Sequence, residues 1–289
     1  MALRRIEMPP RLPKRPADSH KGMYGHVLVI AGGRGMAGAA ALVGASALRS
    51  GAGLVRVASP AEVQPIVAQF EPSYMTWPLA QDGDGTVDFA AARASLERLV
   101  ADATVVAVGP GLGRSAGVVA LVRWVVESVG LPAVLDADAL NALGRDPAGL
   151  DGSRRPLVVT PHPGEFGRLL GKATAEVQAD REALAAGFAR EHKVVVALKG
   201  SGTIVTDGER VYVNTTGNPG MATGGSGDVL TGVVAAMLAQ GLPAFEAACL
   251  ATYAHGLAGD IARDHNGEVG LIAGDIVDAL ADTFAHLDG

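Results

Sequence analysis

The chain is expected to fold as a three-layer α/β/α sandwich with a mostly parallel central sheet. Three observations predict it. Short apolar runs alternate with stretches of helical periodicity, as in successive βα units. Several runs are almost wholly apolar, which suits parallel strands covered on both faces. Hydrophobic residues make up 48% of the 289 residues and aromatics only 4%, so Ala and Gly carry much of the apolar count and helices can pack closely on a sheet.

Taken in order, residues 1–21 are rich in Pro and basic side chains and have no apolar core segment. They read as an extended arm tied down on the body or on a neighbouring subunit, not as a secretory signal. Strands are predicted at His26–Ala31, Leu54–Ala58, Tyr74–Leu79, Thr104–Val108, Ala133–Asp136, Leu157–Thr160 and Val194–Leu198. Helices fall between many of them, over 38–50, 88–101, 115–128, 138–143 and 175–192. The pattern then changes. Asp207-Gly208 is a hairpin-turn dipeptide between Thr203–Thr206 and Arg210–Asn214. From Gly227 three helices follow, over 227–240, 243–264 and 271–286. No linker, repeat or low-complexity tract interrupts the chain, so residues 22–289 read as one domain.

Composition excludes several function classes. A formal net charge of −6 gives no support for a nucleic-acid or membrane-surface partner, which would call for a basic patch, though one local pocket can still be positive. No apolar stretch is long enough to span a bilayer, and the expected address is the cytoplasm. Cys249 is the only cysteine, which rules out an internal disulfide, a cysteine zinc site or a CxxC pair. It reads as a small buried packing residue.

The chemistry concentrates at Asn218-Pro-Gly-Met-Ala-Thr-Gly-Gly-Ser-Gly-Asp228. Glycines permit tight turns and close backbone approach to a ligand. The turn runs into a helix whose first amides lack internal partners, so amides and helix dipole together suit a phosphate. Asp228 falls in the first helical turn, placed to take a proton from an attacking hydroxyl as the catalytic Asp does in phosphoryl transfer. A simple cap would explain Ser226 or Asp228 but not three nearby glycines. Lys199-Gly-Ser-Gly-Thr203 follows an apolar strand and can offer an ammonium and backbone to a nucleotide; the alternative is an ordinary strand-to-strand turn.

Thr160-Pro-His-Pro-Gly-Glu165 ends another strand, at the sheet edge where open α/β folds place ligands. Glu165 is a candidate Mg²⁺ ligand through water, or else a helix cap. Asp136-Ala-Asp-Ala-Leu-Asn141 offers acids for a substrate hydroxyl or a metal, or caps a helix with Asp136 or Asp138. Gly109-Pro-Gly-Leu-Gly113 brings amides to an anion or a flat ring, or is a tight βα turn. Gly33-Arg-Gly-Met-Ala-Gly38 matches GxGxxG, which suggests a dinucleotide-dependent oxidoreductase. The next strand, Leu54-Val-Arg-Val-Ala-Ser-Pro60, lacks the ribose-binding acid of that fingerprint. The loop therefore reads as a close-approach loop on the substrate side. His255, Asp260, Asp264 and His265 show no metal-ligand spacing and read as surface or packing residues.

With these motifs in place, the chain resembles the ribokinase-like superfamily and, within it, the ADP/ATP-dependent NAD(P)H-hydrate dehydratases. The likeness runs from about Tyr24 to about Asp282. It includes Gly38-Ala-Ala-Ala-Leu, Arg49-Ser-Gly-Ala-Gly53, the 109–113, 136–141, 160–165 and 199–203 segments, and Asn218–Asp228. In related vitamin kinases the segment matching Thr160-Pro-His162 usually reads Thr-Pro-Asn; His162 is what the dehydratases show. A vitamin-precursor kinase is the alternative within the superfamily.

The resemblance implies that Ala39, Gly113, His162 and Asp228 contact the hydrated nicotinamide nucleotide. It implies that Lys199, Gly200, Ser201, Gly202 and Thr203, with Gly225, Ser226 and Gly227, hold ADP or ATP together with Mg²⁺. The reaction implied is ADP-dependent dehydration of (6S)-NADHX and NADPHX, through phosphorylation of the ring hydroxyl and loss of phosphate. Relatives often form homotetramers. Many carry a fused epimerase domain, for which this chain has no room, so a stand-alone form with a separate epimerase partner is expected.

Overall fold

The apolar runs become the middle of one twisted sheet. In a computed structural model of the chain, which describes residues 3–144, 147 and 149–288, the strands are β1 (Arg4–Ile6), β2 (His26–Ile30), β3 (Leu54–Pro60), β4 (Met75–Leu79), β5 (Val105–Val108), β6 (Ala133–Leu135), β7 (Leu157–Val159), β8 (Val195–Leu198), β9 (Ile204–Thr206) and β10 (Arg210–Val213). Between them run α1 (Ala37–Arg49), α2 (Gln64–Val67), α3 (Phe89–Ala101), α4 (Ala116–Ser128), α5 (Asp138–Leu143), α6 (Pro163–Leu170), α7 (Thr174–Ala179) and α8 (Arg181–His192). The chain ends with α9 (Ser226–Ala239), α10 (Ala244–Gly270) and α11 (Ala273–Asp288).

The spatial order is β1-β10-β9-β8-β7-β6-β5-β2-β3-β4. From β4 across to β8 every pairing is parallel, while β9 runs antiparallel to both β8 and β10. The expected three-layer sandwich is thus observed. Side chains alternate between its faces with the period of a strand. Val27 and Val29 of β2 join a core built with α1, α9, α10 and α11, while Leu28 and Ile30 join the opposite core under α3 to α6 and α8. The Ala and Gly content serves the first core. Gly232 of α9 lies so close to Val43 and Ser46 of α1 that a side chain there has no room.

The strand order sets the position of the site. β2 pairs with β3 on one side and β5 on the other, so the chain leaves β2 in one direction and later returns across it. At such a switch point the loops diverge beyond the strands' C-terminal ends and leave a crevice. The loops after β2 and β5 meet there, with the Gly32 amide donating to the Pro110 carbonyl at 2.8 Å.

Two helices differ from the expected bounds, and the expected arm contributes a strand. The helix predicted over 175–192 is two helices, separated at Asp180 with φ −144° and ψ 51°. Val177, Ala185 and Ala189 keep helical spacing across the break and are all buried, so periodicity did not mark it. The helix predicted over 243–264 continues to Gly270, with Gly267 leaving the helical basin at φ 73°. The described part of the N-terminal arm is bound to the body: Arg4–Ile6 pair in parallel with β10. Arg15 stacks 3.7 Å above the Tyr24 ring and donates to the Gly51 carbonyl at 2.7 Å. Three strand residues beginning Arg-Arg carry no hydrophobic signal. Residues 1 and 2 of the expected arm lie outside the described residues.

Candidate active site

The glycine-rich turn enters α9 as the sequence predicts. Gly225 caps the helix at φ 90°, a conformation unfavourable for any residue with a Cβ. The turn is also crowded, because a side chain there would strike Leu42 of α1. Among the described residues the amides of Gly227 and Asp228 have no protein acceptor. They are the free donors expected at a helix start, and the dipole adds positive potential.

Behind them lies a buried cluster of charge. Asp136, 1% exposed, directly follows β6, and its Oδ1 accepts from Lys199 Nζ at 2.7 Å. Its Oδ2 accepts from Thr231 Oγ1 at 2.8 Å, one turn into α9. Lys199 Nζ also lies 3.9 Å from Glu165 Oε2 and 3.1 Å from where a side chain at Gly227 would begin. The ammonium is thus held among acids at the foot of the anion turn instead of projecting freely. Burial works against its charge, but Asp136 and Glu165 outweigh burial and raise its pKa.

Asp228 sits above this cluster. Burial raises its pKa to about 7, Asp136 adds to the rise, Lys199 opposes it, and Glu165 and Asp138 contribute further. A carboxylate balanced near neutral pH is suited to accept a proton.

His162 and Glu165 form a reciprocal helix cap. The His162 Nδ1 accepts from the Gly164 and Glu165 amides at 3.0 and 3.4 Å, and Glu165 Oε2 accepts from the His162 amide at 2.9 Å. An acceptor Nδ1 leaves the proton on Nε2, which faces Glu165 Oε1 at 3.4 Å. The ring is half exposed at 50%, so one face stays open to solvent while the cap fixes its orientation. The capping alternative for Glu165 is therefore real, and it coexists with the placement of Glu165 beside Lys199.

The acids of the 136–141 segment do not cap α5; its cap is Ala137, which makes no side-chain bond. Ala137 is held at φ 51°, a strained conformation for a residue with a side chain. It separates Asp136, committed to Lys199, from Asp138, whose Oδ2 accepts from the Gly113 amide at 2.9 Å. Asp138 thereby joins the 109–113 loop to the surroundings of Asp228. Ala39, in the first turn of α1, adjoins Gly111 of the same loop.

On the other side of Lys199 opens a cavity of about 860 Å³. Its walls include residues 199–203, Asn214 to Asn218, Ser226, Gly227 and His255. The sequence-predicted nucleotide residues, Gly225 excepted, thus share one cavity. Ala39, Gly113 and Asp228 lie outside its wall and His162 lies in it. Among the described residues no three His, Cys, Asp or Glu side chains are grouped to cage a metal. Mg²⁺ ordinarily keeps waters and takes one or two carboxylates plus phosphate oxygens. Both Glu165 oxygens already face donors, so the donor set fits Mg²⁺ carried on phosphate with Glu165 acting through water.

Two residues read from the sequence as surface or packing belong to the site's frame. Asp260 accepts from the Gly217 amide at 2.8 Å and from Asn218 Nδ2 at 3.0 Å, tying down the approach to the anion turn. His255 is buried, and its Nε2 donates to the Ser226 carbonyl at 2.9 Å. Only the register of α10 against α9 brings it there; no spacing in the sequence signals it. Asp264 and His265 are exposed as expected.

Burial lowers the His255 pKa to about 4, outweighing the bond to Ser226. Its folded pKa lies below the ordinary 6.5, so the stability it contributes is full above about 6.5 and lost as pH falls towards about 4. Melting temperature measured against pH should therefore drop through this window, and His255→Gln, which keeps a donor, should flatten the drop. An unchanged profile in that variant would exclude His255 as its source.

Comparison with known proteins accords with this geometry. The family model described as NAD(P)H-hydrate dehydratase matches residues 27–282. The bifunctional NAD(P)H-hydrate repair enzyme Nnr of Moorella thermoacetica is 48% identical over 280 residues, which cover 96% of this chain and 52% of that protein. The ADP-dependent (S)-NAD(P)H-hydrate dehydratase of Neisseria meningitidis is 40% identical over 271 residues, 92% of this chain and 86% of that protein. The chain thus spans about half the length of the Nnr relatives it matches. Among solved structures, the ADP/ATP-dependent NAD(P)H-hydrate dehydratase of Bacillus subtilis, co-crystallized with ATP/Mg²⁺, superposes with a TM-score of 0.81 at 32% identity. That match covers 96% of this chain and 95% of that one. With a family model spanning most of its length and this relative sharing its fold from end to end, the chain belongs to the NAD(P)H-hydrate dehydratase family.

Proposed function

We propose that this chain converts the (S)-hydrates of NADH and NADPH back to the reduced coenzymes with ADP as co-substrate, ATP being the alternative. The observation that carries the reading is Asp228. Its carboxyl titrates near neutrality, in the first turn of α9, next to amides with no protein acceptor. The names of the Neisseria and Bacillus relatives support the substrates.

In this reading the cavity beside 199–203 and Ser226–Gly227 holds the nucleotide. The crevice at the β2/β5 switch point, beside Ala39 and Gly113, receives the hydrated ring, and His162 meets it from the cavity wall. Asp228 takes the proton of the ring hydroxyl as its oxygen attacks the terminal phosphoryl group. The amides of Gly227 and Asp228 stabilise the charge that develops. Glu165, through water, would hold Mg²⁺ brought in on the phosphates, and the ion would supply charge neutralisation there. The ring nitrogen's lone pair then expels phosphate, and loss of a proton from the adjacent ring carbon restores the double bond. Nucleotide is thereby consumed with one phosphate released per coenzyme restored.

Residues 22–289 form one catalytic domain in this proposal, and the arm of residues 1–21 docks on it through Arg4–Ile6 and Arg15. A homotetramer, an epimerase partner and a cytoplasmic setting belong to the same reading; the setting follows from substrates that are damaged intracellular coenzymes.

The test supplies hydrated NADH with ADP, then with ATP, and follows the return of reduced-nicotinamide absorbance alongside phosphate release. Equal yields of coenzyme and phosphate are expected. A stable phosphorylated product without coenzyme would favour the vitamin-kinase alternative. Hydride transfer without nucleotide consumption would favour the oxidoreductase.

A further inference from the structure

Behind the 199–203 turn stands a cation with no acidic partner among the described residues. Arg181 is the first residue of α8, the helix end at which the dipole disfavours positive charge. Its neighbour Glu182 is engaged by Arg5 at 2.9 Å. Burial lowers the Arg181 pKa, and its Nε is buried without a partner among the described residues. Such a placement is costly for a guanidinium, which stays charged in proteins.

All of its hydrogen bonds go to the turn. Nη1 donates to the Ser201 carbonyl at 2.8 Å, and Nη2 to the carbonyls of Leu198 and Lys199 at 3.0 and 3.4 Å. A trans peptide is planar, so a carbonyl and the following N–H point in opposite directions. Drawing the Lys199 and Ser201 carbonyls back towards Arg181 therefore turns the amides of Gly200 and Gly202 the other way. Those two residues line the cavity, and their amides have no protein acceptor among the described residues. Arg181 itself is not in the cavity wall.

We propose that Arg181 is a positioning residue: its fork grips the back of the 198–201 turn and so aims the Gly200 and Gly202 amides at a nucleoside diphosphate in the cavity. The inference rests on reading that cavity as the nucleotide site. The charge works in the same sense, adding positive potential behind the donors without touching the ligand. Lysine carries the charge but lacks the planar fork that reaches several carbonyls at once.

The experiment uses the full chain, with Arg181→Ala and Arg181→Lys. It measures the Kd for ADP by calorimetry, KM for ADP and for hydrated NADH, kcat and melting temperature. In Arg181→Ala the Kd and KM for ADP should rise about tenfold, the scale of a lost charge-assisted hydrogen bond. The KM for hydrated NADH should move far less, and kcat should fall less than the ADP KM rises. Arg181→Lys should lie between the two, and it carries the test if the Ala variant does not fold. Wild-type ADP affinity in either folded variant would overturn the proposal. So would equal losses for both substrates accompanied by a lower melting temperature, which mark a purely structural staple. Failure of the wild-type chain to bind ADP would instead bring down the nucleotide-site reading, and this inference with it.

Discussion

Asp228→Asn is expected to lower turnover by about 10²–10⁴-fold, the range for removing a general base, while ADP binding persists because the backbone donors are untouched. The same substitution should raise the melting temperature at neutral pH. Burial and the nearby acids raise the Asp228 pKa from 3.8 to about 7. A carboxyl raised in this way favours folding below its ordinary value, and that advantage is lost as pH climbs through about 7. Above that pH the wild-type chain holds a desolvated carboxylate whose cost is of the order of a few kcal/mol, and Asn removes it. Catalysis should show the opposite dependence, because a base acts when deprotonated: kcat/KM is expected to rise with pH through a midpoint near 7. Near-wild-type turnover in Asp228→Asn would remove Asp228 as the base. A melting temperature below wild type above pH ~8 would contradict the burial argument.

Lys199→Met is expected to have the second large effect, on stability first. It leaves Asp136, 1% exposed, facing Glu165 without the cation that lies 2.7 Å from one and 3.9 Å from the other. Breaking a buried pair by removing one partner costs about 3–5 kcal/mol, because the remaining charge stays desolvated. Adding Asp136→Asn should restore much of this loss, since the stranded charge is then gone. The cluster also predicts a kinetic signature. Lys199 lowers the Asp228 pKa, so its removal should shift the midpoint of the pH–rate profile upward in whatever activity remains. Denaturant melts of the two variants test the first claim: additive losses in the double variant would mean that the pair is not coupled. A midpoint unmoved in Lys199→Met would show that Asp228 does not sense the ammonium.

The site was legible in the sequence wherever one short segment carries its own chemistry. Gly225 to Asp228 needs no distant partner to become a helix start with free amides. The 199–203 turn likewise reaches the cavity as glycines at a strand end suggest. Residues whose role depends on another element were legible in type but not in part played. Asp136 was an acid with several uses until the sheet set it beside Lys199, 63 residues away, and Thr231, 95 away. His162 and Glu165 carry both a capping and a ligand reading, and the structure shows the cap. Arg181 was hidden inside a stretch read as continuous helix, because the break at Asp180 leaves the apolar spacing intact.

By itself the sequence determined the layered α/β architecture, the order of its central elements and the helix start at Ser226–Asp228, since hydrophobic period and turn chemistry act over a few neighbouring residues. Only the tertiary structure decided that Lys199 is a buried counter-charge, that His255 and Asp260 brace the 217–228 turn, and that Arg181 grips the 198–201 turn from behind. Those roles arise from strand order and helix register, which bring together groups far apart in the chain. Their energies come from shared burial, which no local pattern records.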